Sequence, residues 1–152
     1  MSIKEAIAKK AVKASLRVAF KLPSGLPIPV AFARQGMEMG AKLFQPVSHV
    51  SIQKTTIGGV PCEFLSCDSN AKKVVLHFHG GAFFAGSSLT HRAMASEFSA
   101  RSGANVYVLD YRLAPEHPYP AALDDGLAAY KALLALGYLP ENITLGGDRK
   151  SV

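Results

Sequence analysis

With 152 residues, 49% hydrophobic and 18% charged, the chain has the composition of one globular domain and is too short for two of ordinary size. Its 17 Lys and Arg against 11 Asp and Glu make it basic, and six of those cations (Lys4, Lys9, Lys10, Lys13, Arg17 and Lys21) crowd the first 21 residues. No apolar run reaches the length of a membrane span, and charges interrupt the opening segment too often for a secretory signal, so the expectation is a cytoplasmic protein without stable membrane insertion.

In chain order, residues 3–20 place Ile3, Ile7, Val12, Leu16 and Phe20 at helical spacing, with lysines on the other side. A basic helix of this kind suits an anionic membrane surface or nucleic acid; we take it as a solvated face and expect no nucleic-acid partner. Pro23-Ser24-Gly25 ends it, and a second helix is predicted over residues 30–43. The pattern then changes from helical to alternating. Residues 50–57 and 60–66 predict two strands joined at Gly58-Gly59, a hairpin turn pair. Cys62 and Cys67 are an odd separation apart in this stretch and would face opposite sides, so no disulfide is expected between them. Residues 73–79 (KVVLHFH) are a short apolar run of the kind buried on both faces. A helix over 90–102 stopped by Gly103, a buried strand over 104–110, a proline-rich loop, a helix over 120–136 stopped by Gly137, and a strand beginning at Ile143 follow. Strands alternating with crossover helices after a leading hairpin argue for an α/β fold with a mostly parallel sheet.

Open α/β sheets build their sites from loops at the carboxyl ends of the strands. After the first buried strand comes His79-Gly80-Gly81-Ala82-Phe83-Phe84-Ala85-Gly86-Ser87. Two adjacent glycines let the backbone turn its N–H groups towards one point, as an acyl-transfer site needs for the negative oxygen of a tetrahedral intermediate. Rival chemistries fit less well. Gly81 and Gly86 have the spacing of a phosphate-binding P-loop, but Ser87 stands where its lysine must be, and no GxGxxG is present. His77 and His79 share a strand face, with His91 or His117 as further candidate metal ligands. Regular ligand spacing and supporting carboxylates are missing, so structural histidines are expected, with no metal and no cofactor. The second loop, from Asp110 to Asp125, is dense in charge and proline. Arg112 is expected to brace it by pairing with Asp110, Glu116 or Asp124, a structural role rather than a chemical one.

Together the two loops, HGGAF and DYRLAPEHPYPAALDD, resemble those of the hormone-sensitive-lipase family of α/β-hydrolases, which carries HGGG[FW] followed by DYRLAPEHPFPAALDD. The resemblance covers about residues 60–148, and residues 1–45 look like part of that family's helical cap. It implies a partial α/β-hydrolase fold, with a cap segment at 1–45 and the N-terminal half of the core at 46–148. It also implies a carboxylic ester hydrolase with a Ser-His-Asp triad, acting on short- to medium-chain acyl esters. The implied partner is a small-molecule ester, and a homodimer of the complete enzyme stays open. Carried over by position, the N–H groups of Gly81 and Ala82 form the oxyanion hole. His79 and Gly80 shape its loop, with His79 orienting it and not joining the triad. Ala82 stands where the family has a third glycine, and its N–H serves there only if the backbone does not need a positive φ.

The pattern breaks at the nucleophile. The family's serine lies in GDSAGG, directly after a strand. Here Gly146-Gly147-Asp148 is followed by Arg149-Lys150-Ser151-Val152. Arg149 occupies the serine position, and Ser151 lacks the flanking glycines of the strained turn. The chain as written is therefore expected to be an inactive N-terminal fragment, lacking nucleophile, acid and base. Residues 149–152 are expected to be a non-native tail, since Asp148 to Val152 can be encoded as GAT CGG AAG AGC GTC, which matches the start of a common sequencing-library adapter. The alternative reading is a non-catalytic binding module or a nonfunctional truncated product.

Overall fold

The computed structural model describes residues 29–68 and 70–148. The helix expected over residues 3–20 and the tail at 149–152, Arg149 included, lie outside the described residues. Helix α1 (Val30–Ala41) leads into a hairpin of β1 (Ser51–Ile57) and β2 (Val60–Ser66). Then come β3 (Val74–Phe78), α2 (Ser88–Ser102), β4 (Asn105–Leu109), α3 (Ala121–Ala135), a 3-10 turn at Pro140–Asn142, and β5 (Ile143–Gly147). The strands form one sheet in the order β1-β2-β4-β3-β5. The hairpin pairs antiparallel and joins β4 antiparallel, whereas β3 pairs parallel with both β4 and β5.

Alternation along each strand builds two cores, one per face. Val74, Leu76 and Phe78 of β3 join Leu109, Val60 and Cys62 beneath Ala129 and Leu133 of α3. Val106 and Val108 of β4 join Leu65 and Val50 beneath Ala95 of α2. The central strands are apolar on both sides because a helix covers each side. Helix α2 approaches the sheet through small residues, burying Ala95, Ser96 and Ser99, and its Arg92 reaches Glu63, a fully buried carboxylate on β2. Cys62 is buried, Cys67 is exposed just beyond β2, and both are free thiols.

Helix ends follow local chemistry. Helix α2 begins at Ser88, before the expected residue 90, because Ser87 caps it. The Ser87 hydroxyl accepts the Thr90 N–H at 3.4 Å, and the Thr90 hydroxyl accepts the Ser87 N–H at 2.9 Å, a reciprocal capping box. Gly103 ends it in the left-handed conformation, φ 67°. Among the described residues, no helix is long and apolar enough to cross a membrane.

Candidate active site

Because β4, β3 and β5 run parallel, their carboxyl ends lie side by side, and three segments meet there: residues 79–87, the loop from Asp110, and Asp148. The Gly80 N–H donates to Asp148 Oδ1, which ties the loop after β3 to the end of β5.

The loop itself is a tight left-handed turn. Gly81 has φ 133°, and a Cβ there would overlap the carbonyl of Ala85. Gly86, φ 92°, lies so close to the His79 ring and the Gly80 carbonyl that it too admits no side chain. Between them Ala82 and Phe83 have φ 55° and 64°. The backbone at Ala82 is left-handed, contrary to the condition set from the sequence, and that condition proves too strict: a positive φ strains a non-glycine residue by about 1–2 kcal/mol but leaves its N–H able to donate. The strain is held by hydrogen bonds. In a planar trans peptide the C=O and N–H point in opposite directions, so a partner on one aims the other. His79 Nδ1 lies 3.0 Å from the Gly80 carbonyl oxygen, which turns the Gly81 N–H away from the histidine. The N–H groups of Phe84 and Ala85 donate to the Gly81 oxygen at 3.2 and 3.1 Å, which turns the Ala82 N–H the opposite way. Among the described residues, neither the Gly81 nor the Ala82 N–H has a protein acceptor.

His79 is fully buried. Burial is the main influence on its imidazole and holds its pKa below the ordinary value, with the Gly80 carbonyl pulling the other way. A carbonyl can only accept, so Nδ1 carries the proton of a neutral ring. Tyr111 stacks on that ring at 4.3 Å between centroids and 13° between planes, and its hydroxyl donates to the His79 carbonyl. His77 and His91 lie beside it, with His77 Nε2 3.8 Å and His91 Nε2 3.3 Å from Asp148. Burial pushes His77 down to about 4, further than Asp148 pulls it back, so that contact holds a neutral imidazole rather than an ion pair.

The second loop is braced differently from expectation. Arg112 pairs with Asp125 and not with Asp110, Glu116 or Asp124. Its Nε lies 2.9 Å and its Nη2 2.7 Å from Asp125 Oδ1, and Asp125 Oδ2 also accepts the Arg112 N–H at 2.8 Å. Asp125 wins because it lies on the buried face of α3, where one carboxylate meets both the backbone and the side chain of Arg112. Asp110 instead receives the N–H and hydroxyl of Ser88 at 2.6 and 2.8 Å, placing a negative charge at the start of α2. Glu116 takes Arg34 of α1, at 3.0 and 2.8 Å from the two Nη atoms. The same guanidinium donates to the Phe84 carbonyl at 2.7 Å and the Ala114 carbonyl at 2.8 Å. The sequence alone does not mark Tyr111, Arg34 or Asp148 as site residues. Tyr111 and Asp148 lie within the DYRLAPEHP and GGD segments, whereas nothing local marks Arg34.

Comparison with known proteins bears on this arrangement. A family model described as alpha/beta hydrolase fold matches residues 75–149. The chain is 37% identical over 133 residues to an esterase of Acinetobacter venetianus, covering 88% of this chain and 44% of that protein. It superposes on a hormone-sensitive lipase from a metagenome library with TM-score 0.78 and 38% identity, over 82% of this chain and 43% of that one. The chain belongs to the hormone-sensitive-lipase-like α/β-hydrolases. It carries the N-terminal portion of that hydrolase fold. An esterase/lipase from an uncultured bacterium, TM-score 0.79 and 39% identical, matches over 93% of this chain and 47% of its own. A carboxylesterase/phospholipase of Mycobacterium tuberculosis, LipF, is 32% identical over 130 residues, 82% of this chain and 34% of that protein. This hydrolase chain thus spans less than half the length of the relatives it matches.

Proposed function

We propose that the complete protein is a serine carboxylic ester hydrolase acting on short- to medium-chain acyl esters. In this reading the N–H groups of Gly81 and Ala82 form the oxyanion hole, and His79 and Gly80 frame it. The observation that carries it is the pair of N–H groups on consecutive residues that have no protein acceptor among the described residues, each aimed by hydrogen bonding to the carbonyl of its own peptide. Its relatives' names, esterase and carboxylesterase/phospholipase, support the same chemistry.

When a nucleophile adds to an ester, the carbonyl oxygen becomes negative. Donors already in place stabilise that charge without reorganisation, and losing one typically costs about 3 kcal/mol in the transition state. His79 gives its Nδ1 to the Gly80 carbonyl and is fully buried, which keeps its other nitrogen from a substrate, so in this reading it frames the loop and does not act as the base. The nucleophile is the residue after Asp148 in the family motif, GDSAGG, and the acid and base belong to its C-terminal half. Residues 1–45 serve as cap and 46–148 as the first half of the core. The chain as written has Arg149 at the nucleophile position. A guanidinium stays protonated and offers no lone pair with which to form an acyl-enzyme, so in this reading the chain as written is a non-catalytic product.

Turnover of p-nitrophenyl acetate and butyrate and labelling by a fluorophosphonate probe test the proposal. The chain as written should show neither, and the full-length protein with an intact GDSAGG should show both. An inert full-length protein would refute the hydrolase reading, and a label on Ser151 of the chain as written would refute its inactivity.

A further inference from the structure

We propose that Arg34 of α1 is a positioning residue for the oxyanion loop, holding the Ala82 N–H in place through two peptide groups in series. The proposal rests on the ester-hydrolase reading above and names a residue outside both loop motifs.

The path is continuous in hydrogen bonds. Arg34 Nε donates to the Phe84 carbonyl at 2.7 Å. That carbonyl shares a peptide plane with the Ala85 N–H, which donates to the Gly81 oxygen at 3.1 Å. The Gly81 carbonyl shares its plane with the Ala82 N–H. Each planar unit passes orientation to the next. A cation on the first carbonyl also polarises the following N–H, so each bond in the chain strengthens the one after it. The neighbouring carbonyl is held as well: the Ala114 N–H donates to Phe83 at 2.8 Å, and the Ala114 carbonyl accepts from Arg34 Nη2 at 2.8 Å. One guanidinium therefore grips both loops, and Glu116 fixes the guanidinium with two further bonds.

Two features make this more than a surface ion pair. The segment it restrains contains Ala82 and Phe83 in the left-handed region, a conformation that relaxes when its outside partners are removed. In addition, α1 buries no residue of its own, so Arg34 is a principal tie between this helix and the loop. A lysine replaces it only in part. An ammonium holds its three donors on one nitrogen, whereas three nitrogens of the planar fork reach two carbonyls and a carboxylate set apart from one another.

The test uses the full-length enzyme and four variants: Arg34→Met, Arg34→Lys, Glu116→Gln and, as a control, Arg101→Met on the exposed face of α2. Four quantities are measured: kcat per titrated active site, KM for p-nitrophenyl butyrate, affinity for a trifluoromethyl ketone, and Tm. Arg34→Met should lower kcat per site about tenfold with KM within about twofold, because the interaction acts on the transition state. Ketone affinity should fall by the same factor, since its tetrahedral adduct places an oxyanion in the hole. Arg34→Lys should recover part of the loss, Glu116→Gln should lose about two- to threefold, and Arg101→Met should match wild type. A purely structural role would lower Tm and the number of titratable sites while leaving kcat per site and ketone affinity unchanged, and that result overturns the proposal. If Arg34→Met does not fold, unchanged kcat per site in Glu116→Gln overturns it. Wild-type protein without turnover refutes the hydrolase reading and this proposal together; active wild type with unaffected variants refutes this proposal alone.

Discussion

Tyr111 lies flat on His79, ring centroids 4.3 Å apart, and its hydroxyl donates to the carbonyl of the same residue. One side chain thus fixes both the plane of the imidazole and the peptide that leads into the loop. Tyr111→Phe keeps the stack and removes the bond, leaving a buried carbonyl without its donor, which costs about 1–3 kcal/mol. In the full-length enzyme the urea midpoint should fall accordingly, with the denaturant slope unchanged. A midpoint equal to wild type would mean that another donor takes over the His79 carbonyl.

Ala82 offers a change in the other direction. It sits at φ 55°, a conformation that glycine adopts without strain. Ala82→Gly relieves about 1–2 kcal/mol of strain and gives back about 0.4–1 kcal/mol in unfolded-state entropy. We expect a net gain of about 0.5–1 kcal/mol and turnover at or above wild type, since the N–H remains. Gly81 does not offer the mirror experiment, because any Cβ there overlaps the Ala85 carbonyl. A destabilised Ala82→Gly enzyme would show that the left-handed backbone carries no strain at this residue.

How much of this was legible in the sequence depends on the distance between partners. The run at residues 73–79 announces a strand covered on both faces, and β3 is buried in that way. The glycines after it announce a turn that brings backbone N–H groups together, and the loop has that form. The start of α2 was hidden because its buried residues are small (Ala95, Ser96, Ser99), which blurs the apolar period, and because its capping box uses Thr90 where glutamate is the usual signal. The partner of Arg112 had several carboxylates to choose from, and only the place of Asp125 on the buried face of α3 selects it. Arg34 is the extreme case. Its acceptors lie 50, 80 and 82 residues further along the chain, and no local pattern encodes such a contact.

The buried histidines set the response to acid. His77 is lowered by burial from the ordinary 6.5 to about 4, and His79 moves in the same direction. Between those values the unfolded chain binds protons that the folded one refuses. Stability contributed by His77 is therefore fully present above pH 6.5, drains as pH falls towards about 4, and changes no further below that. One such group changes stability by at most about 1.4 kcal/mol per pH unit. Urea titrations of the full-length enzyme between pH 7 and 4 should show this slope, and His77→Leu should make it shallower by about one proton. An identical slope in the variant would place the proton uptake elsewhere.

The face beyond β5 governs how the 152-residue chain behaves by itself. Among the described residues, β5 pairs on one side only, with β3. Its Leu145 is 61% exposed, and Leu123 and Leu127 of α3 are about half exposed around an open apolar cleft floored by Phe78 and Gly146. An apolar strand without charge and with free N–H and C=O groups is a template for pairing with another copy. In isolation the chain should therefore self-associate, or persist as a compact state with secondary structure and little fixed tertiary packing. Sedimentation, near-UV circular dichroism and a thermal melt distinguish these outcomes. Leu145→Lys places a charge on the open edge and should raise the soluble fraction without restoring the near-UV signal, because it blocks pairing and supplies no packing. A monomer with a sharp cooperative transition would show that the two cores beneath α2 and α3 suffice for a folded domain, with the exposed leucines as ordinary surface.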